Sequence, residues 1–118
     1  MEHAFQAAKT RDLEIRKRFQ NVSSPAKAKK IGRRLKLGAS WEQLKVRVMR
    51  GLIQQKFSQP EFRGLLLETG TQHLTEGNMW CDNFWGQCGC DKCASTRGGN
   101  KLGTLIMEVR IDLELGIL

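Results

Sequence analysis

Apolar positions along this chain recur mostly with the 3.6-residue period of helices, and only briefly with the alternation of strands. Residues 2–9, EHAFQAAK, contain strong helix formers and no breaker, with Phe5 and Ala8 on one side. A short second helix is predicted over Asp12–Gln20, carrying Leu13, Ile15 and Phe19. Ser23-Ser24-Pro25 reads as a helix start, Ser24 as cap and Pro25 in the first turn, and the helix it opens runs to about Arg34. After Gly38, Ser40-Trp41-Glu42-Gln43 has the form of a capping box. The pattern that follows predicts a helix over Trp41–Phe57, with Trp41, Leu44, Val48, Leu52 and Ile53 as its core stripe. Pro60 opens another, with Phe62, Leu65, Leu66 and Leu67, and Gly70 stops it. Gln72–Glu76 is expected as a short strand. From Lys101 the residues Leu102, Leu105, Ile106, Val109 and Leu113 mark a last helical face, which Gly116 frays. The fold expected is mainly α with one or two short β-strands, a single compact domain over residues 1–118.

No apolar run approaches the roughly 20 residues of a membrane helix, and the polar N-terminus has no signal-peptide pattern. A cytoplasmic protein without membrane contact is therefore expected. The net charge of +8 is unevenly placed. Residues 1–60 hold fifteen Lys/Arg against four Asp/Glu, and residues 61–118 hold five against eight. The basic half can attract phosphates, whether of nucleic acid or of a nucleotide, or can simply be a solvated helical surface.

Between the last two helices lies a different stretch, Glu76–Gly103. It contains Trp80 and Trp85, all four cysteines and half of the twelve glycines. Large flat rings beside glycines suit a concave wall that backbone can approach. Cys81, Cys88, Cys90 and Cys93 follow the spacing C-x6-C-x-C-x2-C. Clustered so tightly in residues 81–93, they look more like a metal clip than a disulfide framework. Structural zinc is the metal this pattern suits, with Cys81 or His73 as fourth ligand; the competing reading is a set of free thiols on a surface loop.

Four stretches together resemble the NADAR family. They are Glu2-His3-Ala4-Phe5-Gln6-Ala7-Ala8-Lys9; Trp41-Glu42 with Lys45, Val46 and Met49; Asp82-Asn83-Phe84-Trp85-Gly86; and Gly98-Gly99-Asn100-Lys101-Leu102-Gly103 with the helix after it. Their order and spacing agree with the family over nearly the whole chain. Family members usually carry a further segment before the Glu-His motif, with a strand that lines the pocket, so the chain reads as shortened at its N-terminus. The Cys-rich stretch is a second departure and looks more like phage-type relatives.

The resemblance implies hydrolysis of an N-glycosidic bond between a ribose phosphate or ADP-ribose unit and a base. The substrate would be a riboflavin-pathway intermediate or ADP-ribosylated guanine, free or in nucleic acid, and no cofactor would be needed. Such cleavage builds positive charge at the anomeric carbon, which a carboxylate can stabilise while activating water. Glu2 and Asp82 occupy the family positions for that role. Each also has a plain reading, Glu2 as an acid in a first helical turn and Asp82 as a turn cap. His3 could donate a proton or be structural. For substrate binding the resemblance points to Trp41 and Trp85 as stacking surfaces, Gly86 beside them, Lys9 for phosphate, and Asn100 with its neighbouring glycines as amide donors. Core packing competes for both indoles, and a solvated lysine for Lys9. Two rival classes stand beside the enzyme: a nucleotide-binding module without catalysis, and a small basic nucleic-acid-binding protein with a zinc clip.

Overall fold

The computed structural model describes residues 1–118. Six helices and two very short strands follow the chain: α1 Glu2–Ala7, α2 Leu13–Phe19, α3 Pro25–Gly32, α4 Trp41–Phe57, α5 Pro60–Glu68, β1 Gly77–Asn78, β2 Gln87–Cys88 and α6 Lys101–Glu114. A single 3-10 turn, Asp91–Cys93, stands between β2 and α6. The class is thus mainly α, as the periodicity indicates. The chain resolves into two compact units, Met1–Leu52 and Ile53–Leu118, with the boundary inside α4. No helix is long and apolar enough to cross a membrane.

In the first unit, α1 packs on α2 and α3. Asp12 begins α2 by accepting from the amides of Glu14 (2.9 Å) and Ile15 (3.3 Å), and Ser24 does the same for α3 through Lys27 N–H (3.2 Å). Each such cap stabilises its helix by roughly 1 kcal/mol. The basic helix α3 ends at Gly32, two residues earlier than the pattern suggests. Gly32 is where α1 comes close: a Cβ there would stand 3.2 Å from Cβ of Gln6 and overlap its amide. Phe5 and Trp41 are both buried, their ring centroids 5.3 Å apart at 58°, a tilted pair. Along α4 the deeply buried positions are Trp41, Met49 and Ile53, a strict i+4 row with the half-buried Lys45 in it. Leu44, expected in the core stripe, is exposed instead. The row is set by which side of α4 is covered, and periodicity alone cannot choose between adjacent rows.

In the second unit, α5 packs on α6, and Leu66, Leu105, Val109 and Leu113 are buried. Arg110 is buried as well, donating from its guanidinium to Thr69 Oγ1 at 2.7 Å. A paired donor of this kind avoids the penalty of an unsatisfied buried charge. The strand expected over residues 72–76 is absent. Asn100 reaches back to part of it, accepting from Glu76 N–H (2.9 Å) and donating to the Leu74 carbonyl (2.9 Å), and only the Glu76 carbonyl meets β2, taking the amide of Gln87 (2.8 Å). The strands lie just beyond it. β1 and β2 pair in parallel, with Gly77 opposite Gln87 and Asn78 opposite Cys88.

Gly103 and Gly64 test this packing with opposite signs. A Cβ at Gly103 would fall 2.3 Å from the Leu74 carbonyl oxygen, a backbone atom that cannot swing away, whereas one at Gly64 meets nothing within 4 Å. Gly64→Ala should therefore stabilise by about 0.5–1 kcal/mol through helix propensity. Gly103→Ala should destabilise by about 1–3 kcal/mol despite the same propensity gain. Urea unfolding midpoints at unchanged slope are the measurement.

Candidate functional site

Glu2 stands in the first turn of α1, half-buried. Its Oε1 accepts from Gln6 Nε2 at 2.6 Å, one helical turn on. Gln6 is only 3% exposed, and its own Oε1 is a buried acceptor without a partner. The Glu2 carboxylate is therefore oriented by a buried amide rather than left to sweep through solvent. His3 is anchored at one ring nitrogen: its Nε2 lies 2.8 Å from the Val22 carbonyl, nineteen residues away, and a carbonyl there requires Nε2 to be the donor. Lys9, also on this side of the first unit, has its ammonium pushed below the ordinary lysine range by burial, while the Glu2 carboxylate pulls the other way. An anion brought beside it would relieve that cost.

Lys9 and Trp41 border one open cleft of ≈ 840 Å³, which Arg11, Arg16 and Lys36 also line. The indole of Trp41 is 6% exposed and tilted against Phe5, so most of it is core and only an edge borders the cleft. Lys45, in the same buried row of α4, holds Glu42 at 2.6 Å.

The other candidates belong to the second unit, where Asn78 organises the loop. Buried in β1, it donates from Nδ2 to the Asp82 carbonyl (2.7 Å) and to Glu76 Oε2 (3.2 Å). Its Oδ1 accepts from the amides of Asp82 (3.1 Å) and Trp80 (3.3 Å). Asp82 then closes the next turn, its Oδ1 accepting from Phe84 N–H (3.1 Å) and Trp85 N–H (2.9 Å). One oxygen of its carboxylate is therefore committed to the turn, a local bond typical of Asp at such positions. Trp85 is half-buried and meets Phe84 edge-on at 4.8 Å. Trp80 is the most exposed indole, at 60%. Gly86 has no room for a side chain, because Glu76 lies across it: a Cβ would stand 2.3 Å from the Glu76 carbonyl oxygen.

The turn that opens α6 is spent inside the protein. The amide of Gly98 donates to Gln87 Oε1 (2.6 Å), Gly99 to Asn83 O (2.7 Å), Asn100 to Gly86 O (3.2 Å), Lys101 to Phe84 O (3.1 Å) and Leu102 to Trp85 O (2.9 Å). The expectation that this turn presents its amides to a ligand is thereby corrected: five consecutive donors and the Asn100 side chain are all engaged. Asn100 itself adopts φ 48°, a left-handed conformation that Asn tolerates better than most residues. Asn78, Asn83 and Glu76 did not stand out in the sequence. Their signal, in retrospect, is short polar side chains spaced two to five residues apart around glycines, the composition of a loop that hydrogen-bonds to itself.

The four cysteines converge. Their Sγ atoms all lie within 4.8 Å of one another, and none is in a disulfide. Cys88 and Cys93 are buried, while Cys81 is exposed with φ 64°. Donation by Cys88 and Cys81 pulls the Cys90 thiol down to about 7. The complementary bond to Cys90 pushes Cys81 up to about 12. This cluster could hold a metal ion. His73 is not among the clustered ligands.

The profile of the NADAR domain matches residues 1–114. The chain is 42% identical to the N-glycosidase YbiA of Escherichia coli over 117 residues, 97% of this chain and 69% of that protein. An N-glycosidase of Nostoc punctiforme is 34% identical over 96% of this chain and 72% of its own length. A riboflavin biosynthesis protein of Vibrio vulnificus is 31% identical over 96% of this chain, but only 30% of that longer protein. The solution structure of E. coli YbiA superposes with a TM-score of 0.84 at 39% identity, covering 98% of this chain and 67% of that one. The chain belongs to the NADAR family. Its activity class is that of the N-glycosidases, hydrolases acting on N-glycosyl bonds.

Asn78 makes a direct test of the loop. Asn78→Ala removes partners from the amides of Trp80 and Asp82 and from the Asp82 carbonyl, and should destabilise by about 1–3 kcal/mol. In hydrogen exchange, the amides of Asp82 and Phe84–Gln87 should open faster while those of α3 stay as they were. Equal acceleration in α3 would mean that the loss is global.

Proposed function

We propose that this chain hydrolyses the N-glycosidic bond joining a ribose phosphate or an ADP-ribose unit to a nitrogenous base. The observation that carries this reading is Glu2, a half-buried carboxylate aimed by Gln6, at the motif position where the family's resemblance puts catalysis. The bond between the anomeric carbon and the base nitrogen breaks with its electron pair going to nitrogen. Water adds to the carbon, and the base leaves carrying a proton, so the products are a free sugar hydroxyl and an N–H. Glu2 stabilises the cationic carbon and takes one proton of the attacking water; the departing nitrogen takes up a proton from solvent, so none is gained or lost overall. Asp82, in the second unit, is the other carboxylate that the family resemblance assigns to this role; its Oδ1 is held by the turn, which fixes the direction of the group.

Lys9 meets the phosphate, and the basic lining around it, Arg11, Arg16 and Lys36, suits one phosphate or a diphosphate. The family resemblance assigns Trp85, with Gly86 next to it in the chain, to stacking on the base or ribose, and it assigns Trp41 to the substrate pocket as well. Asn100 contributes as the frame of the loop. No cofactor enters this chemistry: a metal held by four thiolates has no open coordination position for substrate. The name of the Vibrio relative supports a riboflavin-pathway ribosylamino substrate, and the cationic cleft supports ADP-ribose on guanine, free or in nucleic acid.

Incubation with ADP-ribosylated guanine DNA and with the phosphorylated ribosylaminouracil, followed by chromatography of the released base, decides between them. Release from one and not the other assigns the substrate; release from neither by folded protein overturns the reading. Glu2→Gln and Asp82→Asn should each lower kcat by about 10²-fold or more with an unchanged circular dichroism spectrum. Lys9→Met should act mainly on KM, as loss of a phosphate contact would.

A further inference from the structure

The cysteine cluster has the dimensions of a coordination shell. A tetrahedral zinc ion with Zn–S bonds of about 2.3 Å places its sulfurs about 3.8 Å apart. Here Cys81 Sγ and Cys90 Sγ are 3.5 Å apart, and all four sulfurs lie within 4.8 Å. That is far outside the ~2.05 Å of a disulfide and close to the edge of the zinc tetrahedron. The surrounding N–H groups, two of the backbone and one of a side chain, treat the sulfurs as acceptors. Cys88 Sγ takes the amides of Cys81 (3.2 Å) and Cys90 (3.4 Å), and Cys93 Sγ takes Asn83 Nδ2 (3.3 Å). Such donors offset the negative charge that four thiolates leave around a divalent ion. Cys81 adopts a left-handed backbone, unusual for a residue other than glycine, and so turns its sulfur into the cluster.

We propose that Cys81, Cys88, Cys90 and Cys93 bind one structural zinc ion as thiolates, and that this ion clamps the Asp82–Trp85 turn from both sides. Cys81 immediately precedes the turn and Cys88 closely follows it. Between them Asn83 ties the shell to the rest of the unit: it donates to Cys93 Sγ, accepts from Cys88 N–H at 2.9 Å, and its carbonyl receives the amide of Gly99. Zinc displaces the thiol protons as it binds, four S–H bonds giving way to four Zn–S bonds, with no change of oxidation state. The clamping role is distinct from the catalytic assignment, since the ion is detected and removed independently of activity.

The test starts with protein purified under reducing conditions without added chelator. Elemental analysis should find about one zinc per chain, and replacement by cobalt should give the intense d–d bands of a tetrahedral thiolate site. Cys88→Ser and Cys93→Ser should each lose the ion; should either variant fail to fold, titration of the native protein with a mercurial should still release zinc in step with thiol loss. Stripping the ion should accelerate hydrogen exchange at Gly99, Lys101 and Leu102, whose acceptors sit on the clamped turn, and leave α1–α3 unchanged. Metal-free protein with four thiols titrating freely and the same exchange pattern overturns the site. A red, iron-loaded protein overturns the choice of zinc.

Discussion

The interaction on which the second unit depends is the docking of one helix start onto the carbonyls of a loop. A helix leaves its first amides without partners, and buried amides of that kind are costly. A capping side chain, as at α2 and α3, meets only one or two of them. Here the carbonyls of Asn83, Phe84, Trp85 and Gly86 take the amides from Gly99 to Leu102. The loop is thus fixed by main-chain bonds to α6, which is itself held by Leu105, Val109 and Leu113 in the core. The two glycines before Asn100 follow from this docking. At Gly98 a Cβ would meet the Gly86 carbonyl oxygen at 2.4 Å, and at Gly99 the Asn83 carbonyl oxygen at 3.2 Å.

The same constraint explains why the loop is rich in asparagine and aspartate. Eight residues separate β1 from β2, short for a connection between parallel strands. Asn78 and Asp82 close that path with side-chain bonds in place of a ladder, and Asn83 links it to the cysteines. Polar side chains with both donors and acceptors can do this where aliphatic ones would leave backbone groups unsatisfied. The rings that the loop carries, Trp80, Phe84 and Trp85, are then presented on a frame that its own hydrogen bonds make rigid.

The first unit solves a different problem, the handling of positive charge. Most of its Lys and Arg side chains are exposed, as a solvated face requires. Lys9 is the exception of consequence: half-buried, its charge favoured by the Glu2 carboxylate against the cost of burial, and on the rim of a cleft with Arg11, Arg16 and Lys36. Concentrating cations at a concave surface raises the local potential more than the same charges spread along a helix. Glu2 and Gln6 place a directed carboxylate on α1, the helix that ends just before Lys9.

The sequence by itself determined the helices, because periodicity, caps and Pro or Gly stops act over a few residues. Ser24, Pro25, Pro60 and Gly70 fall where the pattern puts them, and α4 spans Trp41–Phe57 as read. It also determined the family, because four motifs in order carry more information than any one of them. Spacing exposed the cysteine cluster in the same way. Tertiary structure alone decided which face of α4 is covered, placing Met49 rather than Leu44 in the core. It moved the strand from residues 72–76 to Gly77–Asn78, with Asn100, some twenty-five residues downstream, taking the Glu76 amide and the Leu74 carbonyl. It also turned the Gly98–Asn100 amides inward and gave Asn78 and Asn83 their importance. These are bonds between residues far apart or on crossing paths, and local propensity holds no record of where such partners will meet.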